Sequence, residues 1–387
     1  MLATFVAQSD LDSIRILDLG VWLLTSSDLA IFAKLLSPLL PEGSYFAMTQ
    51  PRSKIVNPSV TRWYHCISRC VRQAFLIADN QEFDRKAWID HRLKELNSLF
   101  AVSVAGFSSM DNHFHLLLRI DPEVAEAWTP LQVVQRWLSL YPLRVNRRPV
   151  VPTQEDLDRL ASDAKWVKER RLRLASLSWF MKCLKEPLSR KINREEKCRG
   201  TFFEGRFKSI AILDEESIFT VAAYIDLNPV AAGICGLPEH SPYTSIKERV
   251  EHLIAQGRLH DVAQIRNGNV SAQRVSEGIE QDHWLIPIED QRSQGANREG
   301  IKEGFTLGQY LMLVDCMSRS VREGKANISP DVESIFERLE MDAQRWLGRV
   351  TQMLTGQRFY GSFMSASRDA IRRVAQKLGV RKLANTA

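Results

Sequence analysis

The sequence has no uninterrupted apolar run of the roughly 18 residues a membrane span requires. Its most hydrophobic stretch, RILDLGVWLLTSSDLAIFAKLLSPLLP within residues 1–47, is broken by Asp18, Asp28 and Lys34, and the start lacks the basic region of a signal peptide. Neither a span nor a leader is expected there, and no membrane partner. Because TQPRSKIVNPSVTRWYHCISR after Met48 reads like a natural protein start, residues 1–47 are taken as an extension. Paired cysteines are also missing. The six cysteines, Cys66, Cys70, Cys183, Cys198, Cys235 and Cys316, form no C-x-x-C pair, which excludes a disulfide framework and standard zinc knuckles. Cys66 and Cys70 lie close to His65, but at a spacing that fits no such knuckle. They are expected to be buried strand residues in a cytoplasmic protein.

Acidic residues are scarce in one region. From Lys165 to Lys208 there are fourteen lysines and arginines against five glutamates, a net +9 in a chain whose total is +6. Trp166, Trp179, Phe180, Phe202, Phe203 and Phe207 interleave with that charge. Cations beside aromatics suit a phosphate backbone with unstacked bases, and equally suit a solvated helix face with its rings turned inward. On the first alternative, Lys168, Arg170, Arg171, Arg206 and Lys208 are DNA-binding candidates.

With 387 residues, 44% hydrophobic and 25% charged, the chain has the composition of a soluble globular protein. RWYHCISR (62–69) alternates as a strand does, and DRKAWIDHRLKELNSLF (84–100) has helical spacing. AVSVAGFSSM (101–110) and HFHLLLRI (113–120) read as two strands turned by Asp111 and Asn112. A helix is expected within 123–140, an irregular polar excursion over 142–164, then one or two basic helices. GRFKSIAIL (205–213) is the next strand. EESIFTVAAYIDLN follows the N-cap candidate Asp214, with Ile218, Val221, Ala222 and Ile225 as its core stripe and Pro229 as its stop. The order β-α-β-β-α-β with a terminal helix predicts a ferredoxin-like α+β sheet.

Two features carry chemistry. In MDNHFHLLLRI (110–120), strand alternation puts His113 and His115 on one side, with Phe114 and Leu116 on the other. Neutral imidazoles side by side are metal ligands, but two make a poor site. On the last helix Thr220, Tyr224 and Asn228 recur every fourth residue and share a side. Together they offer three metal ligands beside a phenol nucleophile.

MDNHFHLLLRI taken with YIDLNPVAAGI (224–234), RWYHCISR and GRFKSIAIL resembles the single-tyrosine HUH transposases of the insertion-sequence 200-like family, especially the REP-associated tyrosine transposases, over roughly 60–240. The resemblance implies a sheet with helices on one face, the HUH nuclease core, spanning 48–240 and carrying the basic insertion 142–200. It implies Mg²⁺ or Mn²⁺ on His113, His115 and Asn228, Tyr224 as nucleophile, single-stranded hairpin DNA as substrate, a 5′-phosphotyrosine intermediate and a homodimer. Alternatives are an HUH replication or mobilisation nuclease, and a domesticated repeat-binding protein that does not cut. Residues 241–387 read as a helical C-terminal extension, with amphipathic stretches at SPYTSIKERVEHLIAQGRL, TLGQYLMLVDCMSRSVREGK, DVESIFERLEMDAQRWLGRV and SRDAIRRVAQKLGVRKL.

Overall fold

The structure is a computed structural model that describes residues 55–78, 83–235, 237–258, 280–320 and 359–360. The extension 1–47 and the last two amphipathic stretches lie outside them.

Strand β1 (Trp63–Arg69) leads to helix α1 (Arg85–Leu99), whose N-cap Asp84 accepts from the Ala87 N–H. Strands β2 (Val102–Ser109) and β3 (His113–Ile120) form the expected hairpin. The 123–140 segment is two helices, α2 (Pro122–Ala127) and α3 (Pro130–Leu140). Thr129 and Gln132 make a capping box ahead of Pro130, which restarts the helix instead of continuing it.

The polar excursion is more ordered than expected. A two-residue hairpin, β4 (Arg144–Val145) with β5 (Arg148–Pro149), precedes α4 (Gln154–Ser162). The sequence signal for α4 is Thr153 followed three residues later by Asp156, another capping box. The basic block supplies α5 (Ala164–Leu174) and α6 (Leu177–Glu195).

Strand β6 (Lys208–Ile212) precedes α7 (Glu215–Ala231), capped by Asp214 as expected. Pro229 does not stop α7. In the last turn a proline forfeits one backbone bond, and the Ala232 N–H still reaches the Asn228 carbonyl. The described part of the extension adds α8 (Ser245–Ala255), α9 (Leu307–Ser320) and a two-residue strand β7 (Phe359–Tyr360) parallel to β6. No helix among the described residues is long and apolar enough to cross a membrane.

The fold is α+β. Strands β2, β3, β1 and β6 lie side by side in that order, each antiparallel to its neighbour. Alternation divides the sheet into two apolar faces. Tyr64, Cys66, Phe114, Leu116 and Leu118 join Leu93 and Leu96 of α1 and Phe180, Leu184 and Leu188 of α6. Leu117, Ile210 and Ile212 join Phe219 and Val221 of α7, Leu253 of α8 and Leu313 of α9. Helices therefore cover both faces, not one. The terminal helix α7 is buried on nearly every side, so it needs sheet beneath it and α8 and α9 above. Each fully buried Leu, Ile or Phe contributes about 1.5–3 kcal/mol, so neither face is dispensable.

The outer edge of β2 is covered as well. A bulge between Val104 and Gly106 turns this strand, and a Cβ at Gly106 would meet Ser245 Oγ at 3.3 Å. The Ser109 N–H donates to the Tyr243 carbonyl (3.1 Å), the Phe107 N–H to Ser245 Oγ (3.0 Å), and the Ile286 N–H to the Val104 carbonyl (2.9 Å).

Candidate functional site

His65, Ile67 and Arg69 of β1 share a face with His113 and His115 of β3, because Ile67 pairs with His115 and Arg69 with His113. Alternation therefore delivers the two expected histidines to one side. It brings a third with them, His65, fully buried. Cys66 and Cys70 fall on the opposite face as buried cysteines outside any disulfide, so the sheet itself separates them from His65.

Helix α7 crosses this face and lowers Tyr224 onto the imidazoles. The Tyr224 ring centroid is 5.7 Å from that of His115 and 6.1 Å from that of His65, both edge-on. His113 and His115 are 4.9 Å apart, and His65 stacks on His115 at 5.1 Å. Asn228, one turn beyond Tyr224, donates its amide N–H to the Tyr224 carbonyl at 3.1 Å. That fixes the amide and leaves its oxygen as an acceptor. Thr220, on the same side, is buried and donates to the Glu216 carbonyl.

Burial dominates the electrostatics. It lowers His65 to about 3 and, with the Arg69 guanidinium as a smaller cause, His113 to about 4. His115 is pushed well below its ordinary value by burial and then by its histidine neighbours. All three are neutral at pH 7, the state that can ligate a metal. Burial raises the Tyr224 phenol, and the Asn228 amide and Arg69 guanidinium pull the other way.

The hydrogen bonds decide which nitrogens remain available. His65 Nε2 is 2.9 Å from His115 Nδ1, and His113 Nδ1 is 2.6 Å from Asn112 Oδ1. Nδ1 is thus engaged on both expected ligands, and their Nε2 atoms make no hydrogen bond among the described residues. No group of three or more His, Cys, Asp or Glu among the described residues could hold a metal ion. The nitrogen and oxygen donors this face offers are two imidazole Nε2 atoms and the Asn228 oxygen, with no thiolate among them.

The five basic candidates divide. Arg170 lies over the Trp166 ring at 4.6 Å and pairs with Glu169, while Arg171 donates to the Ala125 and Glu126 carbonyls. Lys168 is exposed on α5. Arg206 and Lys208 are exposed, with Lys208 opposite Ile67 at the Arg69 end of the sheet.

Sequence reasoning missed three residues here. His65 and Arg69 were visible as alternate residues of one strand, but only the β1–β3 pairing says which face meets the histidines. Asn112 was assigned to the turn alone. Arg69 makes no ion pair among the described residues; Arg72, three residues on, and Arg199, four residues before the Phe203 that bridges Cys70, are exposed. No family model, curated protein or solved structure matches this chain.

Proposed function

We propose that this chain is a metal-dependent tyrosine endonuclease and strand transferase acting on single-stranded DNA, a single-tyrosine HUH transposase. One observation carries the proposal: two neutral imidazoles on adjacent positions of one strand face, with the Tyr224 ring 5.7 Å from His115 and an amide one helical turn further on. The strand order β2-β3-β1-β6 supports a ferredoxin-like nuclease core. His113, His115 and Asn228 would hold Mg²⁺ or Mn²⁺. Such an ion supplies Lewis-acid polarisation of the scissile phosphate.

The chain's own groups do the rest. Tyr224 Oη attacks phosphorus, the Oη–P bond forms and the P–O3′ bond breaks, and the departing 3′-oxygen takes up the proton the phenol has lost. The products are a 5′-phosphotyrosine and a free 3′-hydroxyl. Reversal with a second 3′-hydroxyl joins strands without an external energy source. Burial raises the phenol, so attack at neutral pH depends on the positive field of Arg69 and on positioning. Arg69, Arg72, Arg199, Arg206 and Lys208 offer cations for the phosphates next to the cut. Phe75, 68% exposed in the loop after β1, offers a ring to an unstacked base.

The test is incubation with single-stranded hairpin DNA and Mn²⁺, followed by a denaturing gel. The parent forms a covalent adduct. Tyr224→Phe keeps the ring and forms none, while hairpin binding stays within a few-fold. An adduct with the Phe variant would refute Tyr224 as nucleophile. Hairpin binding without an adduct in the parent would replace this reading with a DNA-binding protein that does not cut.

A further inference from the structure

We infer that His65 and Asn112 are positioning residues that set the tautomers of His115 and His113, each accepting an Nδ1–H so that the ligand presents an unprotonated Nε2. This rests on the metal site proposed above.

The Asn112 half follows from hydrogen-bond chemistry. Asn112 Nδ2 donates to the Gln73 carbonyl at 3.0 Å, so the atom facing His113 is Oδ1. A carbonyl oxygen accepts and cannot donate. At 2.6 Å from it, His113 Nδ1 must therefore carry the hydrogen, and a neutral imidazole protonated on Nδ1 has its lone pair on Nε2.

The His65 half has two solutions. If His65 Nε2 donates, His115 Nδ1 accepts, and the one hydrogen of neutral His115 sits on Nε2, where it blocks a metal. If His115 Nδ1 donates, its Nε2 is open. Only the second gives His115 and His113 the same tautomer, and metal-bound histidines characteristically donate their other N–H to such an acceptor. His65 is itself fully buried, and both solutions keep its hydrogen bond to His115. A fully buried imidazole costs desolvation that a phenylalanine would avoid, so its polar atoms need a use. The contact with His115 supplies one. The loop between β1 and α1 takes part, because it provides the Gln73 carbonyl that orients Asn112, and it is pinned by the Ile77 N–H bond to the Asp111 carbonyl at 2.7 Å.

The experiment uses the full chain labelled with ¹⁵N-histidine. Long-range ¹H–¹⁵N spectra read the tautomers of His113 and His115 without metal, assigned by loss of each peak in His113→Gln and His115→Gln. Mn²⁺ titration followed by electron paramagnetic resonance reads affinity in the parent, His65→Phe and His65→Gln. Both imidazoles should show hydrogen on Nδ1. His65→Phe should bind Mn²⁺ about ten- to hundredfold more weakly. His65→Gln, whose side-chain oxygen accepts the same hydrogen, should recover most of the loss. A His115 protonated on Nε2, or His65→Phe with parental Mn²⁺ affinity, overturns the inference and leaves the nuclease proposal standing. A parent that binds no Mn²⁺ overturns the nuclease proposal, and the tautomers then decide the positioning claim alone. If His65→Phe fails to fold, the parental spectrum and the Gln variant carry the test.

Discussion

Asp226 lies two residues beyond the tyrosine proposed to attack DNA, yet it faces away from it into the core. It is fully buried, and its carboxylate accepts from Ser245 Oγ at 2.5 Å, the Ile246 N–H at 3.0 Å and Tyr310 Oη at 2.6 Å. One side chain thus ties α7 to α8 and to α9. Burial raises its pKa from 3.8 to about 6 despite those three donors, so holding the charge costs about 3 kcal/mol relative to water. Asp226→Ala removes that cost and orphans the donors. Ser245 has the Phe107 carbonyl at 3.3 Å as a second partner, whereas the Ile246 N–H and the Tyr310 hydroxyl are left without their acceptor. Two unsatisfied buried donors cost about 2–6 kcal/mol together, set against the roughly 3 kcal/mol of charge burial that the substitution relieves. Asp226→Ala should therefore destabilise by about 1–3 kcal/mol. Asp226→Asn keeps an oxygen for Ser245 and Ile246 and lets the Tyr310 hydroxyl turn to accept, so it should cost under about 1.5 kcal/mol. Urea unfolding of the full chain at pH 8, followed by tryptophan fluorescence, measures both. An Ala variant as stable as the parent, or an Asn variant as unstable as Ala, refutes the reasoning.

Two further outcomes are expected. Arg206→Ala with Lys208→Ala should lower the slope of log affinity against log salt for single-stranded DNA by about 0.7 for each phosphate no longer neutralised, whereas Arg170→Ala, removing a side chain packed on Trp166 and Trp137, should change thermal stability and leave the slope alone; equal slope changes would undo that division. His283, 6% exposed with neither ring nitrogen hydrogen-bonded among the described residues, is held down to about 2 by burial and then by Arg249. Its folded pKa lies below the unfolded 6.5, so its contribution is present above pH 6.5 and lost as pH falls. Relative to His283→Leu the parent should lose about 2 kcal/mol between pH 7.5 and pH 5, and a pH-independent difference in urea midpoints would contradict this.

Local pattern carried much of this architecture. Alternation in RWYHCISR and HFHLLLRI fixed which residues share a face, and Asp214 announced the start of α7 three residues before the Ser217 N–H that it caps. What failed was anything that needed a neighbour. Pro229 reads as a stop because local rules do not count the packing that keeps a helix going past one missing bond. Helices on one face came with the resemblance, whereas Phe219, Ala223 and Leu227, outside the expected stripe of α7, are buried in the second cluster with residues of α8 and α9. The site divides in the same way. His113, His115 and Tyr224 were legible because spacing within one element placed them. His65 and Arg69 were not, since strand pairing across some fifty residues makes them neighbours of the histidines. Arg170 and Arg171 looked like free charge, and only tertiary contacts reveal their partners.

The covered edge of β2 bears on how the molecule can be made and divided. An unpaired strand edge is a template for stray β-pairing, and here the protecting groups come from Tyr243, Ser245 and Ile286, with Ser245 lying 138 positions after the Phe107 N–H it reaches and Ile286 further still from Val104. While the chain is being synthesised, β2 and β3 emerge long before their cover does. A fragment ending after α7 would keep the three histidines and the tyrosine but leave a bare, adhesive flank and an uncovered helix. Tyr243, Ser245 and Ile286 therefore guard this edge, and a fragment that resists self-association is expected to need them as well as the three histidines and the tyrosine.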